Sequence, residues 1–337
     1  MAKGAAVSTV RPMSAEEVAV YPRVGVVVLN WRRAKDTIEC VRSLQAMSYP
    51  RFDIVIVDNA SADGSTGMLR AAFPGITVIE NSENLGYAGG NNVGIRYALE
   101  RGADYVLLLN NDTVVAPNLL RDLVVAAESD RRIGIVGPEI CDYHDPTTIW
   151  FTGAMIDWWT GASPHIGLGE RDHGQYHQRV EVDRLTGCAM MVRRDVFERV
   201  GVFDPEYFLY YEDVDFCVRA AKAGYKSYCV QTAKVWHKVS SSTRANEKSA
   251  LHAYYQTRNR LLFLSKNSRI AVSLHGMNCL LFGYYLMRAM WPPFRRSSRA
   301  RYAGRAAGLI DFYRGRFGIK AAYHRAHESR PPSMLVR

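Results

Sequence analysis

Tyr105 to Val115, YVLLLNNDTVV, is the stretch from which the rest of the chain can be read. An apolar run this short, rich in Val and Leu and halted by Asn110, Asn111 and Asp112, predicts a strand buried on both faces that delivers its last side chains to a site. Asp112, a carboxylate flanked by amides, is the kind of oxygen-rich spot that holds Mg²⁺ or Mn²⁺ together with a diphosphate. A turn or helix cap explains the same three residues.

Working outward, Val24 to Asn30 reads as a buried first strand, and Ile38, Val41, Leu44 and Met47 have helical spacing. Phe52 to Val57 alternates and ends in Asp58, Asn59, Ala60 and Ser61, with Ser61 or Asp63 able to cap the next helix. Ile76 to Ile79 reads as a strand and Asn91 to Glu100 as a helix. This alternation predicts an α/β, Rossmann-like, mostly parallel sheet flanked by helices, in which ligands bind outside the carboxyl ends of the strands. Asn30, Asp58 and residues 110–112 fall at three such ends. The segment Asn84 to Asn92, NLGYAGGNN, is a glycine-rich turn entering a helix, where bare backbone can approach a ligand or simply turn tightly.

Downstream, Trp150 to Tyr176 lacks periodicity and reads as a long loop. Leu185 to Val192 reads as a strand, and Arg194 to Val200 as a short helix ended by Gly201. The densest acidic and aromatic stretch runs from Phe203 to Phe216. A helix from Asp213 to Ala223 places Glu212 and Asp213 at its N-terminus, as a general base with an acidic neighbour or as a plain cap. Ser227 to Val230 and Val235 to His237 complete the core, with His237 either a metal ligand or a core histidine.

The formal charge is +10, and the segment from Arg288 to Arg337 holds 12 basic residues against Asp311 and Glu328, so it carries all of the excess. Such a block attracts anionic lipid or nucleic acid, or is a solvated tail. Ile270 to Met287 is apolar but short for a bilayer span. It reads as an interfacial helix, with a spanning helix and a core helix as alternatives, because Trp291, Arg295, Arg296, Arg299, Arg301 and Arg305 follow. The six cysteines form no CxxC pair, which points to buried thiols in a reducing compartment and no zinc site. Residues 1–22 read as a flexible leader without the apolar core of a secretion signal, so a cytoplasmic location is expected. The expected division is 1–22 leader, 23–262 α/β domain, and 263–337 basic, amphipathic helical extension.

Taken in order, VVVLNW, VDNAS, NLGYAGGNN, LLLNND, Thr186-Gly187, GVFDPEYFLYYEDVDFCVRAAKAGY and VWHKVSSS resemble the inverting glycosyltransferases of family 2, with the GT-A fold, in the rhamnosyltransferase and galactofuranosyltransferase-like branch. The resemblance covers about Val24 to Arg260. It implies that Asp58 contacts the nucleotide base with Asn30 beside it, and that Asn84, Gly86, Gly90 and Asn91 line the nucleotide and sugar, with Asn110 and Asn111 on the donor side. It further implies that Asp112 holds the metal with His237, and that Asp213 is the catalytic base with Glu212 as neighbour and possible substitute. Asn110 stands where the family commonly has the first acid of a DxD motif, so metal affinity is expected to be lower.

The activity implied is transfer of a sugar, rhamnose-like, from a dTDP or UDP donor to a hydroxyl of a glycan or lipid-linked acceptor. The partners expected are the nucleotide-sugar donor, that acceptor and an anionic membrane surface, without nucleic acid. The location expected is the cytoplasmic face of the inner membrane, peripheral and monotopic, in cell-surface polysaccharide synthesis. A catalytically silent nucleotide-sugar-binding scaffold is the alternative.

Overall fold

The computed structural model describes residues 21–176, 180–238, 249–268, 275–290 and 296–320. Residues 1–20 of the expected leader 1–22, residues 270–274, Trp291, Arg295 and the last 17 positions, 321–337, lie outside them.

Four strands form the first half as expected: β1 (Val24–Asn30), β2 (Phe52–Asp58), β3 (Thr77–Glu80) and β4 (Tyr105–Asn110), joined by helices α1 (Ala34–Gln45), α2 (Ser65–Ala72) and α3 (Gly86–Glu100). They pair in parallel in the order β3-β2-β1-β4. Helix α3 starts five residues before the expected Asn91. It can lie close against β1 because a stripe of small residues faces the strand. A methyl group built at Gly94 would sit 2.2 Å from Val27 Cγ1, one at Gly90 2.7 Å from Leu29 Cδ1, and one at Gly25 2.6 Å from Ala98 Cβ. Residues 90, 94 and 98 are one turn apart, so three successive turns of the helix are seated on alternate residues of one strand.

The sheet then departs from the expected mostly parallel arrangement. After the short β5 (Thr113–Val115), α4 (Leu119–Glu128), β6 (Ile133–Asp142), β7 (Ile149–Phe151) and β8 (Val180–Val182), strand β9 (Ala189–Arg193) inserts between β4 and β6, antiparallel to both. The last strand, β10 (Lys226–His237), pairs parallel with β6 and antiparallel with β5 and β8. The sheet is therefore mixed. The physical reason is that β9 is reached through the long excursion after β7 rather than through a helical crossover, and parallel pairing needs a crossover.

Helices α5 (Arg194–Val200) and α6 (Glu212–Lys222) precede β10, and α7 (Ala250–Asn267), α8 (His275–Met290) and α9 (Arg296–Tyr313) follow it. The boundary expected at 262/263 falls inside α7, whose Leu262, Phe263 and Leu264 are all buried. Helix α9 crosses α7 at glycines: a methyl group at Gly304 would lie 2.2 Å from the Ala250 carbonyl oxygen. Among the described residues no helix is long and apolar enough to cross a membrane. The five described free cysteines, Cys40, Cys141, Cys188, Cys217 and Cys229, are buried.

Candidate active site

The ends of β1, β2 and β4 are tied by one chain of side-chain hydrogen bonds. Residues 30 and 58 are register partners, and Asn30 Nδ2 donates to Asp58 Oδ1 at 2.5 Å. Asp58 also accepts from the Ser61 amide at 2.9 Å and the Ser61 hydroxyl at 2.7 Å. Thr37 donates to Asn30 Oδ1 at 2.7 Å, and Asn111 Nδ2 donates to Thr37 at 2.9 Å. Asn30 and Asp58 have no exposed surface. Their polar atoms hold the strand ends together, which is what buried polar groups require.

Asn59 organises the next turn, which sequence reading did not single out. Its Oδ1 accepts from Asn81 Nδ2 at 3.0 Å and the Leu85 amide at 3.1 Å, and its Nδ2 donates to Asn84 Oδ1 and the Gly86 carbonyl, both at 2.9 Å. Gly86 adopts φ +70°, and a methyl group there would lie 2.4 Å from the Phe208 carbonyl oxygen. The space beside the α-carbons of Gly86 and Gly90 is thus filled by protein. Close packing in a tight turn, one of the two readings the sequence offered for this segment, accounts for both glycines. Asn91 donates to the Tyr87 carbonyl at 2.9 Å, and its buried Oδ1 has no partner.

At the other side of the strand ends, antiparallel pairing of β10 with β5 sets His237 opposite Thr113, and the Lys238 amide donates to the Asp112 carbonyl at 2.8 Å. His237 Nε2 then lies 3.1 Å from Asp112 Oδ1, while Arg33 Nη1 lies 3.4 Å from Oδ2. Burial works against the charge on Asp112, but the hydrogen bond and charge of His237, with Arg33, keep its carboxyl below the usual range. Burial likewise opposes protonation of His237, yet Cys188 and Asp112 raise its pKa well above the ordinary imidazole value. The His237 Nδ1 is buried without a partner. A carboxylate oxygen and an imidazole nitrogen converge here, and once the imidazole gives up its proton the two fit a divalent cation whose other ligands are water and phosphate.

Another acidic group, Glu139, Cys141 and Asp172, has ligand atoms within 4.8 Å of one another. Lys234 already occupies it, paired with Glu139 and, at 2.7 Å, with Asp172. An ammonium in that position supplies the positive charge, so the cluster is an ion-pair network rather than a metal centre.

The acidic pair is presented by an unusual loop. Phe208, Tyr210 and Tyr211 have φ of 63°, 69° and 73°, a strained region for such side chains. Helix α7 holds this loop. Asn259 Nδ2 lies 2.8 Å from the carbonyl oxygens of Tyr207, Leu209 and Tyr210. Arg258, fully buried, donates to the carbonyls of Glu206 at 3.0 Å, Tyr207 at 3.1 Å and Gly318 at 2.7 Å. Nothing in the spacing of α7 flagged these two residues. Their burial, which only the packing of α7 against the loop creates, is what marks them.

Directly after the loop, Asp213 Oδ2 accepts from the Gly187 amide at 3.0 Å and from Arg184 Nη2 at 3.2 Å, and Oδ1 accepts from the Val214 amide at 2.8 Å. Glu212 Oε2 is buried without a partner. Burial, and then the charge of Asp213, push the Glu212 carboxyl up to about 8. Glu212 therefore holds its proton to higher pH than an exposed carboxyl does.

Asn110, Asp112, His237, Arg184, Glu212 and Asp213 come together on the wall of one cavity of about 640 Å³. Asn30, Asp58, Asn84, Gly86, Gly90, Asn91 and Asn111 do not line it. A cavity at the carboxyl ends of a mixed sheet, with an Asp-His pair and two adjacent acids on its walls, is the arrangement of a group-transfer enzyme.

Residues 25–201, just over half of the chain, match the family described as glycosyl transferase family 2. The chain belongs to that family, and it is a glycosyltransferase. It is 27% identical to the low-salt glycan biosynthesis hexosyltransferase Agl10 of Haloferax volcanii, over 80% of this chain and 85% of the relative. It is 29% identical to an N-acetylglucosaminyl-diphospho-decaprenol L-rhamnosyltransferase of Mycobacterium tuberculosis, over 60% of this chain and 72% of the relative. Its fold matches the mannosyltransferase PcManGT of Pyrobaculum calidifontis, solved with GDP-Man and Mn²⁺, at a TM-score of 0.54 and 16% identity over 88% of each chain. That likeness supports the GT-A expectation for the fold.

Proposed function

We propose that the chain transfers a rhamnose-like sugar from a dTDP or UDP donor to a hydroxyl of a glycan or lipid-linked acceptor, with inversion, in cell-surface polysaccharide synthesis. The observation that carries this reading is the convergence of Asp112 and His237 with Glu212 and Asp213 on one cavity. The L-rhamnosyltransferase relative, which acts on a diphospho-decaprenol-linked sugar by its name, favours the rhamnose and lipid-linked choices.

Asp213 is the base that takes the proton from the acceptor hydroxyl. Arg184 and the Gly187 amide fix its Oδ2, and burial together with the Asp213 charge favours the protonated form of Glu212 beside it. Asp112 and His237 would hold Mg²⁺ or Mn²⁺, which when bound supplies positive charge against the departing nucleoside diphosphate. Asn110 provides an amide where an acid would add another charge to that site.

Helix α8 supports a peripheral position on the cytoplasmic face of the inner membrane. Leu280, Tyr284 and Met287, on one face of the helix, are exposed, while Tyr285 is buried against α9. An apolar face beside a basic helix suits an anionic bilayer surface.

The test is calorimetric titration of the protein with UDP and dTDP, with and without Mn²⁺, for wild type and Asp112→Ala. Metal-enhanced binding of one nucleotide, lost in the variant, is the expected result. Absence of binding of either nucleotide under every condition would sink the proposal.

A further inference from the structure

The active-site cavity does not end at the acidic pair. Tyr211, His252, Gln256 and Arg260 line both it and a second recess of about 360 Å³, so the two spaces share a wall. The recess is completed by Tyr285 of α8 and by Arg301 and Arg305 of α9. Arg301 and Arg305 are one helical turn apart and face the same way.

Three guanidinium groups, Arg260, Arg301 and Arg305, thus border one space, and among the described residues none of them forms an ion pair. Arg305 lies over the rings of Tyr285 and Tyr302, 5.5 and 5.6 Å from their centres, and Arg301 reaches the Ser298 hydroxyl at 3.4 Å. His252 Nδ1 is buried without a partner at the junction of the two spaces. Burial, and then the charge of Arg305, push this imidazole down to about 4, so it is a neutral ring able to donate one hydrogen bond. Like charges gathered around a recess repel one another unless an anion sits between them. Forked guanidinium donors match phosphate oxygens.

Position decides which phosphate. Neither Asp112 nor His237 lines the recess, which opens instead beside Tyr211, the residue before the Glu212-Asp213 pair. The donor's diphosphate belongs at the former pair, and the acceptor approaches the latter. We infer that the recess seats a phosphate or diphosphate ester of the acceptor, so that the sugar to be extended arrives on a phosphorylated carrier. This rests on the transferase reading above.

The test uses the full chain, titrated calorimetrically with inorganic pyrophosphate and with farnesyl diphosphate in EDTA, and separately with UDP and dTDP in Mn²⁺. Both diphosphate probes are expected to bind without metal. The double variant Arg301→Gln with Arg305→Gln is expected to weaken them by about tenfold or more. Its nucleotide affinity should stay within about twofold of wild type. Because Arg305 also packs on Tyr285, the Arg301→Lys with Arg305→Lys variant is measured beside it and should recover most of the affinity. Unchanged diphosphate binding in the double Gln variant overturns the inference, and so does a parallel loss of nucleotide binding, which would put the donor's diphosphate in the recess. Tighter binding of the farnesyl ester than of pyrophosphate identifies a lipid carrier, and equal binding a soluble phosphorylated glycan. Wild type that binds diphosphate but neither nucleotide sinks the transferase reading, whereas nucleotide binding without diphosphate binding sinks this inference alone.

Discussion

Asn259 Nδ2 lies 2.8 Å from the carbonyl oxygen of Tyr210, two residues before Glu212. The same amide reaches the carbonyls of Tyr207 and Leu209, so one side chain of α7 holds the backbone that places three aromatic residues at positive φ. Replacing Asn259 by Ala takes this donor from the carbonyls of Leu209 and Tyr210 and leaves that of Tyr207 to Arg258, at a cost of about 1–3 kcal/mol. The loop should relax, and kcat should fall by about ten- to a hundredfold through misplacement of Asp213. A folded Asn259→Ala protein with wild-type kcat would show that the clamp does not position the acids.

On the proposed mechanism the two acids of the loop have different roles, with Asp213 as the base. Asp213→Asn keeps the shape but removes the base, and should lower kcat by about 10²- to 10⁴-fold while nucleotide affinity is retained. Steady-state kinetics beside calorimetry separates the two effects. Parallel loss of binding would mean that Asp213 serves the donor instead.

Glu212 supplies a pH signature of stability. Its folded pKa, about 8, is raised above the ordinary 4.5, so the folded chain holds the proton more tightly than the unfolded one. The associated stability is fully present below about pH 4.5 and is lost progressively as pH rises to about 8, at up to about 1.4 kcal/mol per unit. Glu212→Gln, which mimics the protonated acid, should flatten that part of the profile in urea unfolding. A wild-type profile with no such slope relative to the variant argues against a neutral Glu212.

The stripe of small residues on α3 has no room to grow. Gly94→Ala would press a methyl group against Val27 Cγ1, 2.2 Å away. Destabilisation of about 1–3 kcal/mol is expected, measured as a lower denaturant midpoint with an unchanged slope.

Lys234 holds the acidic cluster below the site. Glu139 is 1% exposed, and burial raises its pKa even though Lys234 works in the other direction. Lys234→Met strands a buried carboxylate and should cost about 3–5 kcal/mol. Adding Glu139→Gln should recover much of that loss. If the double variant is no more stable than the single one, the pair is not coupled as described.

The strand ends were readable from the chain itself. Val24 to Asn30 and Tyr105 to Asn110 are short apolar runs stopped by polar residues, and a strand buried on both faces can be written in few other ways; Phe52 to Asp58 announces itself by alternation instead. The ordered motifs from VVVLNW to VWHKVSSS carried the family, and the family match over residues 25–201 agrees. Glu212 and Asp213 could be placed at a helix start because acids gather in a first turn.

Tertiary structure alone decided which of those residues share a wall. His237 and Asp112 are 125 positions apart and meet because β10 pairs with β5, a non-local contact with no periodic trace in the sequence. The insertion of β9 against β4 turned a parallel sheet into a mixed one through a connection whose course nothing local specifies. Asp58 and Asn30, ligand residues by position, also hydrogen-bond each other and Ser61 and so tie the strand ends together. Arg258, Asn259, Arg301 and Arg305 look like ordinary helix residues until α7 and α9 cross at Gly304. Local propensity and periodicity record the burial of each element, but the partner of a polar side chain is set only when distant elements pack.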